Sequence, residues 1–353
     1  MIISITDAMD GILQITSASS VYVGSAAKLL GSLLPEGRVI VISDTNIDRC
    51  HHALLAPYDH ILIGLGEQSK TFATLDMVYR RLIELGADRH TFILGIGGGI
   101  VTDITGFVAS TYMRGVRFGF VTTTLLGAAD ASVGGKNGVN VGGFKNMVGL
   151  FSQPEFVVCD VSLFKSLPDR EFRAGLAEII KAAIIDDAAL FARLEGCSFE
   201  VLRADEALLA EVLSAAVQVK ARIVAQDERE SGLRRVLNLG HTLAHAIEKC
   251  SSKMNHGEAV AVGLQCMTDV ACREGVLDSV AAARIEALLH RYGFDVSLPI
   301  EMRKLCTALR GDKKRDGDSI HVVLPAGVGS VVQQKMTFEN LEKLLNYDKG
   351  TTI

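Results

Sequence analysis

Up to Asp160 the chain alternates short, largely apolar runs with longer stretches whose apolar residues recur at helical spacing, and few folds accept that alternation. The run Arg38–Ser43 ends at Asp44. Ile61–Gly64, Thr91–Ile96, Phe118–Val121 and Phe156–Cys159 are runs of the same kind. Strands apolar on both faces belong to a parallel sheet covered by helices on each side. Phe72–Leu85 reads as one such helix with Gly86 as its stop, and Ile100–Ala109 as another. After Asp160 the pattern changes. Residues 170–220 are rich in Ala, Leu and Glu at helical spacing with few turn signals, and 236–250, 257–274 and 279–292 share that periodicity. Ser319–Leu324 and Ser330–Gln333 read as a late hairpin around Pro325-Ala326-Gly327. The expected architecture is an α/β domain over residues 1–157 and a mainly α-helical domain over 158–353. A chain of 353 residues also exceeds what one core usually serves.

Composition narrows the function classes. The formal net charge of -5 gives no electrostatic pull towards nucleic acid or an anionic membrane, so neither is expected as a partner. The seven cysteines, at 50, 159, 197, 250, 266, 272 and 306, are scattered and form no CxxC pair, which suits reduced thiols in the cytoplasm. The start, MIISITDAMD, lacks the basic and apolar segments of a signal peptide, and apolar stretches are interrupted well before bilayer-spanning length.

Gly97-Gly98-Gly99 follows a predicted strand and opens a predicted helix. A helix N-terminus offers free N–H groups and positive dipole character to a pyrophosphate, and glycine lets the backbone come close to it. Asp103 lies in the first turn of that helix. The same glycines would serve a plain strand-to-helix turn, and the pattern is not GxGxxG. Asp44 and Asn46 stand at the end of an earlier strand, where dinucleotide folds place a carboxylate against ribose hydroxyls. Asp44 suits a turn or a helix cap equally well. Thr123-Thr124 join the same carboxyl edge of the sheet.

The second half carries Asn238-Leu-Gly-His241-Thr-Leu-Ala-His245, two histidines one helical turn apart, and then His256. Glu178 and Lys181 sit on an otherwise apolar helix. One Glu and two His would leave an open position on a zinc-like ion, which is the catalytic arrangement. Individually these residues also fit a core histidine or a simple ion pair. Their density is the stronger signal: Lys220, Arg234, Asn238, His241, His245 and His256 crowd a short, otherwise Ala-, Leu- and Val-rich stretch. Gathered cations beside a metal suit an anionic substrate, phosphate or carboxylate. Asp130–Asn146 reads as a glycine-rich loop whose lysines, Lys136 and Lys145, would fold over a phosphorylated ligand.

Taken in order, these motifs resemble the 3-dehydroquinate synthase family over about residues 38–330. The carrying segments are Gly97-Gly-Gly-Ile100-Val-Thr-Asp103, Tyr112-Met-Arg114-Gly115, Thr123-Thr-Leu-Leu126 with Asp130, Ser132-Val-Gly-Gly-Lys136 and Lys145-Asn146. Further on come Gly175-Leu-Ala-Glu-Ile-Ile-Lys181, Asp227-Glu-Arg-Glu230, Leu237-Asn-Leu-Gly-His-Thr242, His256-Gly-Glu-Ala-Val260 and Asp312-Lys-Lys314. The resemblance implies a Rossmann-like N-terminal domain, a helical C-terminal domain, an active site in the cleft between them, and a homodimer.

For NAD, the resemblance implies contacts from Asp44, Asn46, Glu67, Lys70, Gly98, Gly99, Ile100 and Asp103. It adds Thr123, Thr124, Leu126, Asp130, Lys136 and Lys145, with Ser166 and Leu167 from the second domain. Zinc or cobalt would be held by Glu178, His241 and His256. Around the substrate it implies Lys136, Asn146, Asp130, Lys181, Lys220, Arg234, Asn238, His245 and one of Lys313 or Lys314, with Arg114 reaching a phosphate across the dimer. The implied reaction converts 3-deoxy-D-arabino-heptulosonate 7-phosphate to 3-dehydroquinate and phosphate, a step of the shikimate pathway to aromatic amino acids. A secondary alcohol is transiently oxidised by NAD, phosphate leaves, the hydride returns, and an intramolecular aldol step closes the ring.

Departures from the family pattern are few: Thr122 for Pro, Asn137 for Thr, Phe144 for a small residue, and Thr102 for a small residue. None removes a ligand or a charge, and Phe144 bears on loop packing. A sister cyclase acting on a neutral sugar phosphate would need no carboxylate clamp of the kind Lys220 and Arg234 resemble. A metal-dependent alcohol dehydrogenase would release NADH and need no lysine loop, and a non-catalytic paralogue would be free to lose ligands that this chain keeps.

Overall fold

The computed structural model describes residues 11–16, 19–251, 253–298, 300–310 and 315–346. The expectations for the first ten residues and for Lys313 and Lys314 lie outside the described residues. In chain order the elements begin with β1 (Gly11–Thr16), β2 (Ser19–Val23), α1 (Ala26–Leu33), β3 (Val39–Asp44), α2 (Thr45–Leu55), β4 (Asp59–Ile63), α3 (Phe72–Glu84), β5 (Phe92–Gly97) and α4 (Gly99–Thr111). Then come β6 (Phe118–Thr122), β7 (Lys136–Val141), β8 (Phe144–Phe151), β9 (Phe156–Cys159), α5 (Asp169–Asp186), α6 (Ala188–Glu195), α7 (Phe199–Ala204) and α8 (Glu206–Gln226). The last are α9 (His241–Cys250), α10 (His256–Arg273), α11 (Ser279–Arg291), α12 (Met302–Arg310), β10 (Arg315–Asp316), β11 (Ser319–Gly327), β12 (Ser330–Thr337) and α13 (Phe338–Leu345). Packing groups the chain into two compact units, residues 1–175 with 206–229, and residues 176–205 with 230–353.

The first unit holds a seven-stranded sheet in the order β1-β2-β9-β6-β5-β3-β4, parallel except for the antiparallel β1–β2 pair. Every residue of β5, β6 and β9 is buried, which is why these runs are continuous in Ile, Val and Phe instead of alternating with polar residues. The α/β fold expected for this half is the one observed. α3 ends on Leu85, and Gly86 takes φ +70°, the left-handed stop its position predicts.

The expected loop over Asp130–Asn146 is corrected. A single-turn π-helix at Gly127–Ala131 is followed by the antiparallel hairpin β7–β8. Gly142 and Gly143, at φ +58° and +79°, connect Val141 to its partner Phe144, the two-residue turn that needs positive φ twice. Gly138 faces Gly149 across the ladder, and a Cβ on Gly149 would stand 2.5 Å from the Asn137 carbonyl oxygen. Glycine content that reads as a loop is here the condition for two strands to pair closely.

The second unit is helical, with one three-stranded sheet, β10-β11-β12. The Ala- and Leu-rich stretch read as helical over 170–220 is four helices, of which the last, α8, packs with the first unit. Asp187 and Ser198 accept from the backbone N–H groups of Leu190 and Val201 and start α6 and α7. The helix expected over 236–250 is broken as well. A 3-10 turn covers Leu233–Asn238, Gly240 sits at φ +75°, and α9 starts at His241. α10 passes so close to this break that a Cβ on Gly263 would lie 2.1 Å from the Gly240 carbonyl oxygen. The late hairpin is observed as β11–β12, but its turn is at Val328-Gly329 instead of Pro325-Ala326-Gly327: Pro325 pairs with Val331 and Gly327 with Ser330 inside the ladder. Among the described residues no helix is long and apolar enough to cross a membrane.

Candidate functional site

In the first unit, register decides what gathers at the carboxyl edge of the sheet. Ile42 of β3 is opposite Gly95 of β5, and Gly97 of β5 is opposite Thr122 of β6. Asp44, Gly97–Gly99 and Thr123-Thr124 therefore leave the sheet on one edge. Gly98 is the N-cap of α4 and supplies no side-chain cap, so the first N–H groups of a 13-residue helix are left for another acceptor. Ile100 follows in that first turn. The Thr123 hydroxyl is buried with no hydrogen-bond partner among the described residues. Thr124 Oγ1 accepts from Gly127 N at 3.0 Å, which shapes the turn after Leu126. Asp44 does cap a helix: its Oδ1 accepts from Asn46 N at 2.8 Å and Ile47 N at 3.0 Å.

Lys70, buried at 4% exposure, ion-pairs with Asp103 and donates to Asn146 Oδ1 at 2.5 Å. Burial pushes the Asp103 carboxyl up to about 6 despite the Lys70 ammonium beside it. Asn140 donates to Glu67 Oε1 at 2.8 Å, and its own Oδ1 accepts from Asn146 N at 2.9 Å, so the hairpin is stitched to the Glu67–Lys70 turn. Asn146 sits at φ +50°, a conformation asparagine tolerates. Lys136 and Lys145 are exposed on the hairpin. Lys220, from α8, lies 2.6 Å from Asp130 Oδ1. Ser166 Oγ is 2.8 Å from His51 Nε2 at the kink of α2, and Leu167 caps the 3-10 turn that ends on Ser166. Arg114 is exposed, on a turn in which Met113, Arg114 and Gly115 all have positive φ.

In the second unit, Glu178, His241 and His256 each offer one ligand atom, and these atoms all lie within 4.8 Å of one another. Glu178 Oε1 is 3.5 Å from His241 Nε2 and 3.3 Å from His256 Nε2, while its other oxygen is paired with Lys181 one turn along α5. Both histidines are first residues of helices, placed there by the Gly240 break and by an Asn255–Glu258 capping box. Burial alone would lower the His256 pKa. Hydrogen bonds to Glu178 and Glu248 and their charges outweigh it, raising the metal-free imidazole to about 10. His245 stacks edge-on against His241 at 5.5 Å between ring centres, Asn238 donates to Glu230 Oε1 at 2.5 Å, and Arg234 is 2% exposed.

Sequence reasoning noted Asn140 and Glu230 within their motifs without giving them a site role, and passed over His51 and Glu248. For Glu248 a signal exists, since it follows His241 by seven residues and so falls on the same helical face. For His51 there is none, because Ser166 is 115 residues away.

The family model described as 3-dehydroquinate synthase N-terminal matches residues 60–174, and the one described as 3-dehydroquinate synthase C-terminal matches 175–315. The 3-dehydroquinate synthase of Pelobacter propionicus is 43% identical over 284 residues, covering 80% of this chain and 79% of the relative. Among solved structures, 2-deoxy-scyllo-inosose synthase complexed with carbaglucose-6-phosphate, NAD+ and Co2+ superposes with a TM-score of 0.86 at 24% identity, over 96% of this chain and 99% of that one. The 2-epi-5-epi-valiolone synthase of Streptomyces hygroscopicus subsp. jinggangensis 5008, with NAD+ and Zn2+ bound, superposes with a TM-score of 0.82 at 29% identity, over 92% and 95%.

Proposed function

The chain belongs to the 3-dehydroquinate synthase family, and from that premise we infer that it converts 3-deoxy-D-arabino-heptulosonate 7-phosphate to 3-dehydroquinate and phosphate. It is a carbon–oxygen lyase of the shikimate pathway, with NAD and one divalent ion, zinc or cobalt, as cofactors. The observation that carries this is the cluster of Glu178, His241 and His256, one carboxylate and two imidazoles converging, a donor set that would suit a catalytic divalent ion.

NAD supplies a recyclable hydride acceptor and the ion a Lewis acid for the substrate hydroxyl. The chain's own groups bind and orient. We assign the nucleotide to the carboxyl edge of the sheet, where the uncapped start of α4 and the unpartnered Thr123 hydroxyl retain hydrogen-bonding capacity. Asp44, with Oδ1 occupied by α2, keeps Oδ2 for a ribose hydroxyl. Lys70 holds Asp103 and Asn146 in fixed positions, and Lys181 fixes the free rotation of Glu178. Asn146, Lys136, Lys220, Arg234, Asn238 and His245 are assigned to substrate, with one of Lys313 and Lys314. The division of roles at residues 157/158 is likewise a proposal about function. Lys220 lies on α8, which packs within the first compact unit.

Lys220 and Arg234, the positions that resemble the family's carboxylate clamp, favour a carboxylated substrate over a neutral sugar phosphate. A homodimer in which Arg114 reaches the partner's phosphate, and a cytoplasmic location suited to free cysteines, complete the proposal.

The test is phosphate release from 3-deoxy-D-arabino-heptulosonate 7-phosphate with catalytic NAD, with and without chelator, while monitoring NADH. Chelator-sensitive release without NADH accumulation is expected. NADH without phosphate would mean a dehydrogenase, and turnover only of neutral sugar phosphates a sister cyclase.

A further inference from the structure

Glu248 stands outside every role assigned above, yet its buried carboxylate faces a metal-ligand histidine. We infer that Glu248 is the positioning residue for His256, fixing the imidazole so that Nε2 points to the metal position; this rests on the metal assignment of the preceding section. The Glu248 side chain is 7% exposed, and its Oε2 lies 3.4 Å from His256 Nδ1. A carboxylate at neutral pH only accepts, so Nδ1 carries the proton and Nε2 is the nitrogen turned to Glu178, 3.3 Å away. His241 has the same arrangement with a different partner: its Nδ1 donates to the Leu239 carbonyl at 3.2 Å.

The difference between the two histidines makes the side chain necessary. His241 is oriented by backbone, which no substitution removes, and its side chain is 10% exposed. The His256 side chain is 27% exposed, and packing holds it less. The Asn255–Glu258 capping box fixes the backbone of His256 and does not itself touch the ring, whose contacts are Glu248, Glu178 and the His241 ring. Without Glu248 that ring could rotate and offer Nδ1 in place of Nε2. The helix brings the carboxylate there: α9 starts with His241, and Glu248 is two turns further on the same face. One helix thus supplies one ligand and orients the other. A carboxylate on the far nitrogen also makes the imidazole a stronger donor, and loss of such partners typically weakens metal binding about 10- to 100-fold.

The test uses the full chain, stripped with chelator and titrated with Co2+ alone, reading the visible absorption bands and the Kd by chelator competition. E248A should weaken Co2+ binding about 10- to 100-fold and alter the bands. E248Q, which keeps an acceptor and loses the charge, should fall between E248A and wild type. Far-UV circular dichroism of the metal-free proteins checks that each variant is folded. Wild-type affinity and spectrum in E248Q and E248A, with H256A binding weakly, would overturn the role of Glu248 alone. Failure of the wild type to bind Co2+ would instead remove the metal assignment. Should the variants not fold, 15N NMR of the wild-type zinc-loaded chain decides: a proton on His256 Nδ1 is expected, and metal on Nδ1 overturns the inference.

Discussion

Gly263→Ala is a one-carbon change that should disturb both the second unit and its metal cluster. The added Cβ would lie 2.1 Å from the carbonyl oxygen of Gly240, 2.9 Å from its carbonyl carbon and 3.1 Å from its Cα. All three are backbone atoms, so no side chain can turn aside. To reach ordinary contact the two backbones must part by about 1.3 Å at the oxygen. Overpacking of this kind costs about 1–3 kcal/mol, against which alanine returns up to about 1 kcal/mol of helix propensity. Gly240 immediately precedes His241, while Gly263 lies two turns along α10 from His256, so the displacement falls between two ligands. Ligand distances are held to about 0.2 Å in functional sites, and we expect Co2+ affinity to fall about tenfold or more. The control is Gly31→Ala in α1, where a Cβ meets nothing within 4 Å. It should raise stability by about 0.5–1 kcal/mol. Urea denaturation of both metal-free variants, with Co2+ titration of the first, reads the two effects. A Gly263→Ala protein with the wild-type urea midpoint and Co2+ affinity would refute the packing argument.

Asp103 should give stability an inverted pH dependence. Its folded pKa, raised from 3.8 to about 6, means that the folded state binds the extra proton in that interval. This group's contribution therefore declines as pH rises from about 4 to 6, by about 3 kcal/mol at most. The stability of wild type relative to D103N should fall as pH rises over that window in urea titrations, and a pH-independent difference would contradict the shift. Thr123→Val removes a buried hydroxyl that has no hydrogen-bond partner among the described residues, so cofactor-free stability should be unchanged or slightly higher. NAD affinity should fall about threefold to tenfold by calorimetry, and unchanged affinity would exclude that hydroxyl from the nucleotide site. His256→Ala should abolish phosphate release through loss of metal while leaving far-UV circular dichroism near native; unchanged metal content would exclude His256 as a ligand.

What could be read from sequence followed burial. β3, β5, β6 and β9 were legible because strands covered on both faces must be apolar at every position, and no tertiary information is needed to see that. The hairpin β7–β8 was not, because β8 is almost wholly exposed and its glycines serve close pairing, which local patterning reads as loop. The break at Gly240 was hidden for a similar reason. A glycine inside a helical pattern reveals its left-handed φ only through the neighbour that crosses it, here Gly263. The metal cluster was legible through chemistry, since few other uses gather Glu and His on apolar helices. Glu248 and His51 act through partners that no local pattern announces.

The assignment of α8 to the first unit has a consequence during synthesis. The chain passes from one unit to the other after Gly175, returns at Glu206 and leaves again after Arg229. α8 lies against β1, the antiparallel edge of the sheet, and supplies Lys220 to Asp130. A ribosome that has released β9 has therefore delivered every strand of that sheet without the helix that packs against β1. About seventy more residues must emerge, several seconds at about 5–20 residues per second, before the unit can close. For that interval β1 lacks the helix it packs against in the finished unit, and a fragment ending near residue 160 would lack it permanently.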